Sequence, residues 1–267
     1  MTDVERGTAV TSDGVDGVRT ERRGRVLVIT LDRPHRRNAL DGAAARALSA
    51  AVDELEAAPD LAVGVLTGAG GVFCAGMDLK AFVTGDLPEV PGRGLGGMTE
   101  RLPEKPMVAA VEGWALAGGF EIALACDLIV AGAGARFGVP EVKRALVAGG
   151  GAALRLPWRV PTAIAMELLL TGDPIDAVRA AAVGLVNRVV PDGGALGAAL
   201  ELAGTIAANG PLAIAATRRI AVGTLDWTSD EAWDRQRAIA DPVFASRDAV
   251  EGATAFAEKR PPRWEGR

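Results

Sequence analysis

The sequence predicts an α/β protein whose C-terminal third is mainly helical. Segments rich in β-branched residues alternate with amphipathic segments as far as about residue 150, and this alternation is typical of an α/β core. Beyond that point the pattern is mostly helical. A chain of 267 residues, 49% of them hydrophobic, is long enough to form one large domain with an appendage and a substantial core.

The predicted elements begin after an N-terminal tail. Residues 1–17, rich in Gly, Asp and Thr, are predicted to be loose, and residues 25–31 form a β-branched run that predicts a strand. Residues 41–57 carry apolar side chains at helical spacing, so they predict an amphipathic helix with Asp41 as its N-cap. Residues 61–67 predict a second strand because this apolar run stops at a Gly-rich turn.

In the middle of the chain, residues 107–111 predict a third strand, residues 118–126 a helix after a Gly-rich turn, and residues 127–130 a further strand. The C-terminal third contributes several helical patterns and one short strand. These are helices over residues 162–170, 176–183, 194–208 and 211–224, and a strand over residues 186–190. Residues 92–97 match G-x-G-x-x-G, but the Pro-rich segment before them is unlike a central strand, so we expect a flexible loop and no dinucleotide site.

Composition excludes several classes of protein and of active site. Asp and Glu outnumber Lys and Arg by 34 to 29, and the net charge of -5 is unlike that of a nucleic-acid-binding protein. The N-terminus lacks a signal-peptide pattern, no apolar run approaches the ~18 residues of a membrane span, and the two cysteines lie far apart. We therefore expect a cytoplasmic protein that contacts no membrane. A single histidine and the absence of tyrosine leave carboxylates, lysines and backbone amides for proton chemistry, and make a metal site unexpected.

Two segments have features of an oxyanion-binding site. Residues 73–79, Phe-Cys-Ala-Gly-Met-Asp-Leu, follow a predicted buried strand, and their small side chains let the backbone approach a ligand closely. Residues 113–121 pass from a Gly-rich turn into a helix, so Gly118 would present a free N–H near a helix N-terminus, where negative charge is favoured. Two such N–H groups could form an oxyanion hole. The alternative interpretation is two ordinary glycine turns.

Two carboxylates accompany these segments. Glu121 lies three residues beyond Gly118, and Glu141 follows Pro140, which stops a strand-like segment. Either glutamate alone also fits a surface residue at the start of a helix, where its charge is stabilised by the helix dipole. As a pair beside an oxyanion hole, the two glutamates fit a general base and a general acid.

Several segments in this order give the sequence a specific resemblance to a known family. They are residues 73–79, 105–111, 113–121, 126–131, 137–141 and 165–172. The sequence resembles the enoyl-CoA hydratase/isomerase (crotonase) superfamily from about Val26 to Arg260. The resemblance implies a crotonase-like spiral of ββα turns over residues 18–195 and a helical C-terminal trimerisation and substrate-covering region over residues 196–267. It also implies acyl-CoA thioester substrates, no separate cofactor, and a homotrimer or a dimer of trimers.

The resemblance also implies roles for individual residues. The N–H groups of Cys74 and Gly118 would form the oxyanion hole, Glu121 would activate water, and Glu141 would protonate the substrate. The residues implied in substrate binding are Ala75, Gly76, Met77, Asp78, Arg36, Ala39, Gly149, Phe256 and Lys259. Arg36 belongs to a basic turn expected at the nucleotide end of CoA, and Phe256 belongs to a segment that reaches CoA from a neighbouring subunit in some relatives.

The sequence departs from the family pattern near the predicted site. Ala117 stands where many hydratases have Gly, and Phe120 where a smaller residue is common, so we expect a different acyl pocket. Lys143 and Arg144 would lower the pKa of Glu141 if they faced it, but we expect both to point outward.

The function that these residues predict is hydration of 2-enoyl-CoA thioesters. Glutamates at both positions favour hydration, because isomerases of the family commonly keep only the second acid. Two alternatives stay open: an enoyl-CoA isomerase that uses Glu141 alone, and an acyl-CoA-binding protein with little catalysis.

Overall fold

A computed structural model describes residues 10–11 and 16–267, and two sheets with helices around them account for most of these residues. The strands are β1 (Val10–Thr11), β2 (Val18–Arg23), β3 (Val26–Leu31), β4 (Val63–Gly68), β5 (Glu89–Val90), β6 (Gly94–Leu95), β7 (Met107–Val111), β8 (Trp114–Leu116), β9 (Leu128–Gly132), β10 (Arg136–Gly138), β11 (Ile175–Asp176) and β12 (Arg188–Val190). The helices are α1 (Gly42–Ala57), α2 (Leu79–Val83), α3 (Gly118–Ala125), α4 (Ala152–Arg159), α5 (Thr162–Thr171), α6 (Ala177–Ala182), α7 (Ala195–Ala207), α8 (Pro211–Gly223), α9 (Ser229–Phe244) and α10 (Arg247–Glu258). Most of the tail predicted to be loose, residues 1–17, lies outside the described residues, but the prediction is wrong for Val10–Thr11, which pair with β2 as a strand.

The larger sheet is mainly parallel. Within the described residues it has seven strands in the order β1-β2-β3-β4-β7-β9-β12. The pairs from β1 to β3 are antiparallel, and the pairs from β3 to β12 are parallel. Parallel sheets are normally covered on both faces, and every residue of β3 and of β7 is buried. This burial explains why both strands read as continuous apolar runs in the sequence.

A smaller sheet gives the fold its spiral. It has the order β11-β10-β8 in the described chain, with β8 and β10 parallel. β7 continues into β8 and then α3, and β9 continues into β10 and then a 3₁₀ helix over Pro140–Arg144. β4 is followed by Cys74, which forms a parallel bridge with Ala115 of β8. Each turn thus passes from the larger sheet to the smaller sheet and then to a helical segment, which confirms the predicted spiral of ββα turns.

Helices cover the larger sheet on both faces. One core cluster joins the sheet to α1 and α3, and a second joins it to α7. α7 buries alanines at every fourth position, which lets the helix lie close to the sheet. These alanines are Ala195, Ala199, Ala203 and Ala207. The predicted boundary at residue 195 groups α7 with the C-terminal helices, whereas its packing partners are β4, β7 and β9.

Several local predictions are confirmed, and the missed elements have physical reasons. Asp41 accepts a hydrogen bond of 2.9 Å from the Ala44 N–H and caps α1 as predicted. β2 was not predicted because its sequence, Val-Arg-Thr-Glu-Arg-Arg, contains charged residues and no apolar run. α4 and α9 contain Pro157 and Pro242, residues that interrupt a helical pattern.

The C-terminal helices pack on one another, and Arg218 of α8 donates to the Asp127 carboxylate, just before β9, at 2.8 and 2.9 Å. α8 packs on α9, and Trp264 returns from the end of the chain to donate a hydrogen bond of 2.8 Å to the Ala208 carbonyl. Among the described helices, no single one has the length and apolar composition of a membrane span. α7 and α8 have them only when taken together, and the two helices meet at a bend of 108°.

Candidate active site

The start of α3 presents a backbone donor. Gly118 is the first residue of the helix, so its N–H has no partner inside the helix, and in the described chain no other acceptor bonds it. The Ala117 carbonyl accepts from the N–H groups of Phe120 and Glu121, which closes the first turn. Ala117 itself has φ 51° and ψ −130°, a conformation that favours glycine. The chain therefore turns sharply just before the Gly118 donor.

Cys74 does not supply the second donor, and this prediction is wrong. The Cys74 N–H donates to the Trp114 carbonyl at 2.9 Å, and the Cys74 carbonyl accepts from the Leu116 N–H at 3.0 Å. Both backbone groups of Cys74 are thus used by the bridge to β8. The thiol is also unavailable, because burial raises its pKa to about 12 and the sulfur lies 3.0 Å from the Asn38 carbonyl.

Met77 supplies the free donor of this segment. Leu40 forms a parallel bridge with Met77 through bonds of 2.8 Å to the Gly76 carbonyl and 2.7 Å from the Asp78 N–H. In such a bridge the N–H of the middle residue points away from the partner strand. The Met77 N–H accordingly has no acceptor among the described residues. Met77 was predicted to bind substrate, and in the structure its free N–H is the group available to do so.

Gly76 brings the two donors side by side. With φ of 100°, it adopts a conformation that L side chains rarely take. A Cβ at this position would lie 3.3 Å from the Gly118 nitrogen and 3.0 Å from the Leu116 carbonyl oxygen. The backbone before Met77 therefore runs directly against the N-terminus of α3.

Glu121 is a buried carboxyl held by backbone donors. Its exposed fraction is 3%, and its Oε1 accepts a hydrogen bond of 3.0 Å from the Ala152 N–H. A Cβ at Gly150 would lie 2.5 Å from Oε2, so a larger residue there would displace the carboxyl. The pKa of Glu121 is raised to about 7, mainly by burial and also by the charge of Glu141, while the N–H groups of Ala152 and Gly150 and the charge of Arg155 oppose the rise.

Glu141 is half-buried in the 3₁₀ helix that follows β10. Its Oε2 atom is buried and has no hydrogen-bond partner among the described residues. Burial raises the pKa of this carboxyl, and its own N–H and the charge of Arg144 act in the opposite direction. An unpaired buried oxygen favours the protonated form, because a neutral carboxyl loses less solvation than a charged one.

The smaller sheet explains why the two glutamates face one site. β8 and β10 are parallel neighbours, so the segments that follow them leave from the same edge of the sheet. α3 with Glu121 follows β8, and the 3₁₀ helix with Glu141 follows β10. The rings of Phe120 and Phe137, whose centroids are 5.6 Å apart, pack α3 onto β10. The influence of Glu141 on the pKa of Glu121 is consistent with this proximity.

The two basic residues after Glu141 behave differently. Lys143 points outward, as predicted, and pairs with Asp173 at the surface. Arg144 is exposed and lies 3.5 Å from the Pro140 carbonyl, but its charge still lowers the pKa of Glu141. The prediction that both point outward therefore holds for their position, although Arg144 acts on the site electrostatically.

The remaining predicted substrate-binding residues occupy different surroundings. Asp78 caps α2 through the Lys80 N–H and lies 3.5 Å from Arg33, which also pairs with Asp41 at 2.5 Å. Ala75 donates from its N–H to the Arg37 carbonyl at 3.0 Å. The other residues of the set are the buried Ala39 and the exposed Arg36, Gly149, Phe256 and Lys259. Their roles in binding substrate stay predictions.

Three contributors to the site were missed in the sequence. Gly150 and Ala152 bind Glu121, and Arg155 acts on its charge. The Arg155 guanidinium donates to the Gly150 carbonyl at 3.3 Å and to the Thr99 carbonyl. The run of three glycines before Ala152 was the available signal, because consecutive glycines indicate a close backbone approach.

Comparison with known proteins agrees with this architecture. The sequence model of the family described as enoyl-CoA hydratase/isomerase matches residues 21–267. The chain is 45% identical to the enoyl-CoA hydratase EchA19 of Mycobacterium tuberculosis, covering 97% of this chain and 100% of that protein, and 41% identical to the carnitinyl-CoA dehydratase of Proteus mirabilis, covering 92% and 97%. A crystal structure of the enoyl-CoA hydratase EchA1 of Mycobacterium marinum superposes with a TM-score of 0.93 at 58% identity, covering 94% of this chain and 100% of that one. The chain therefore belongs to the enoyl-CoA hydratase/isomerase family.

Proposed function

We propose that this chain is an enoyl-CoA hydratase that adds water across the double bond of 2-enoyl-CoA thioesters. Two observations carry the proposal together: Met77 and Gly118 have free backbone N–H groups, and Gly118 shares the first turn of α3 with Glu121, whose pKa is in turn raised by the charge of Glu141. Family membership supports a CoA thioester as the substrate. Relatives named as a hydratase and as a dehydratase support the reaction class, since dehydration is the reverse of hydration.

The backbone donors stabilise the charge that hydration creates. As hydroxide adds to C3, electrons move toward the thioester carbonyl, and its oxygen gains negative charge as an enolate. We place that oxygen between the N–H groups of Met77 and Gly118. Removing one such donor typically costs about 2.7–4 kcal/mol of transition-state stabilisation. The dipole of α3 adds to the effect, because Gly118 lies at its N-terminus.

The two glutamates divide the proton transfers. Burial raises the pKa of Glu121 to about 7, and the N–H bonds and the charge of Arg155 limit this rise, so a substantial fraction of the carboxyl is ionised at and above neutral pH. It accepts a proton from water as the oxygen attacks C3. In this proposal Glu141, whose pKa is raised by burial and whose Oε2 is unpaired, is the group that gives a proton to C2. After one turnover Glu121 holds a proton and Glu141 lacks one, and exchange with solvent restores both.

The proposed chemistry needs no metal or redox cofactor. Water and enoyl thioester have the same oxidation level, taken together, as the hydroxyacyl product, so no electrons leave or enter. The backbone donors supply the charge stabilisation that a Lewis acid would supply elsewhere. Coenzyme A enters as part of the substrate.

We also propose that the chain assembles as a homotrimer or a dimer of trimers. Large apolar side chains that project from helices support a subunit interface. Leu154 and Trp158 on α4 are 75% and 69% exposed, and Phe256 on α10 is 88% exposed. Light scattering on the purified chain tests the assembly, and a monomer would contradict it.

The decisive experiment follows hydration of crotonyl-CoA by wild type and two variants. We expect Glu121→Gln and Glu141→Gln each to lower kcat by about 10²–10⁴-fold, because each loses one proton transfer. Glu112→Gln is the matched control, since that carboxylate also accepts from a backbone N–H, that of Ala195 at 2.9 Å, but lies away from α3. A wild-type protein that binds crotonyl-CoA without hydrating it would favour the acyl-CoA-binding alternative.

The isomerase alternative has its own test. Incubation with 3-enoyl-CoA would yield the 2-enoyl isomer if Glu141 alone shuttled a proton. Retention of that product by Glu121→Gln, together with no hydration by wild type, would replace the proposed function by the isomerase.

A further inference from the structure

The Gly-rich segment that resembles a nucleotide-binding loop forms the turn of a β-hairpin. β5 and β6 pair as antiparallel strands, with Glu89 opposite Leu95 and Val90 opposite Gly94. Gly92, Gly94, Gly96 and Gly97 all have positive φ, between 61° and 74°. The glycines therefore shape a tight double turn on either side of Leu95. The flexible loop that the sequence predicts is an ordered hairpin.

The hairpin is fixed to α1. The Arg93 guanidinium reaches both carboxylate oxygens of Asp53, at 2.6 and 2.8 Å. A Cβ at Gly96 would lie 3.0 Å from Leu48, and one at Gly97 would overlap Ser49. These contacts leave no space between the turn and α1. The position of Leu95 is thus set by the scaffold.

Leu95 lies between the backbone donor and the segment that holds Glu121. Its exposed fraction is 8%. A Cβ built on Gly118 would lie 2.9 Å from Leu95 Cδ2, and a Cβ built on Gly150 would lie 2.8 Å from the same atom. One methyl group therefore contacts both the Gly118 end and the Gly150 end of the site. Leu95 takes no part in the proton transfers.

We infer that Leu95 is a specificity-determining residue that limits the bulk of the acyl group at C2 and C3. The inference rests on the proposed function, because it uses the placement of the thioester oxygen at Gly118. With the oxygen there and C3 near Glu121, the two reacting carbons lie beside the Leu95 side chain. The substrates that fit are enoyl groups without a branch at C2 and with one substituent at C3.

The test compares wild type with Leu95→Ala on crotonyl-CoA, 2-methylcrotonyl-CoA and 3-methylcrotonyl-CoA. The measured quantity is kcat/KM for each branched substrate divided by kcat/KM for crotonyl-CoA. One methyl group in an apolar pocket typically changes this ratio by about 10–200-fold. We expect the ratio for at least one branched substrate to rise by about tenfold or more. Leu95→Val should change it in the same direction by less, and serves if the alanine variant unfolds.

Leu102→Ala is the matched control. Leu102 belongs to the same connecting segment and is half-buried, but it lines a cleft beside α8 with Arg219 and Ile239. Its replacement should leave the substrate ratios unchanged. Equal losses on all three substrates in Leu95→Ala, or unchanged ratios, would overturn the inference while leaving hydration intact. A wild-type protein that hydrates none of the three would overturn the proposed function and the inference with it.

Discussion

Arg155 and Glu121 lie close enough for each charge to favour the other. Burial is the main cause that raises the pKa of Glu121, to about 7, and the Arg155 guanidinium opposes this rise. Because Glu121 must be ionised to accept a proton from water, we expect kcat/KM to fall as the pH drops below about 7. Arg155→Met removes the opposing charge, so the acid limb of the profile should move to higher pH.

Arg159→Met is the control for this prediction. Arg159 lies one turn further along α4 and is half-buried like Arg155, but it donates to the Leu124 and Asp127 carbonyls, at 3.1 and 3.2 Å, at the far end of α3. We expect the control to lower the melting temperature and to leave the acid limb in place. An unmoved limb in Arg155→Met would show that the charge does not act on the base.

Removing the buried carboxyl of Glu121 should stabilise the fold at alkaline pH. The folded pKa of Glu121 is raised from 4.5 to about 7, so its contribution to stability is complete below the unfolded pKa and is lost as the pH rises through the folded pKa. Glu121→Gln removes this titration. The difference in unfolding free energy between the variant and wild type should increase by about 2 kcal/mol in favour of the variant from about pH 5 to about pH 8. Urea denaturation at both pH values measures this, and a constant difference would contradict it.

Cys74→Ala should keep its activity. The backbone of Cys74 is used by the bridge to β8, and its buried thiol, with a pKa raised to about 12 by burial, stays protonated. We expect kcat for crotonyl-CoA within a few-fold of wild type and a loss of about 1 kcal/mol in stability from the missing sulfur contact. Complete inactivation of a folded Cys74→Ala variant would restore a chemical role for the thiol.

Ala117→Gly should stabilise the protein. An alanine at φ 51° and ψ −130° is strained by about 1–3 kcal/mol, and glycine relieves that strain while costing about 0.5–1 kcal/mol in chain entropy. We expect a net gain of about 1 kcal/mol in urea denaturation. Ala123→Gly, within the regular part of α3, should instead lose stability. Equal losses in both variants would mean that position 117 carries no strain.

The sequence was most informative where a feature depends on neighbours along the chain. The N-cap of α1 at Asp41, the apolar strands β3 and β7, and the start of α3 at Gly118 all follow from short segments. The family resemblance assigned roles to the two glutamates that the sequence had already singled out, and the structure places Glu121 in the same first turn of α3 as the Gly118 donor.

Long-range pairing accounts for what could not be predicted. The Cys74 N–H is taken by the Trp114 carbonyl, and the Met77 N–H stays free because Leu40 bonds the residues on either side of it; neither Trp114 nor Leu40 is close in sequence to this segment. The same holds for Gly150, whose importance arises from the Glu121 carboxyl that reaches it from α3. Such contacts appear only once the sheets have assembled.

The hairpin at residues 89–95 is attached to α1, so the residue that limits the substrate and the residues that carry out the reaction lie on separate segments. The backbone donors and the two glutamates lie on segments that follow β4, β8 and β10. Leu95 lies on the hairpin, which Arg93 fixes to Asp53 of α1. Mutations in the hairpin can alter which compounds are accepted without disturbing how they are converted. Substrate range and catalytic chemistry can in this way change independently of each other.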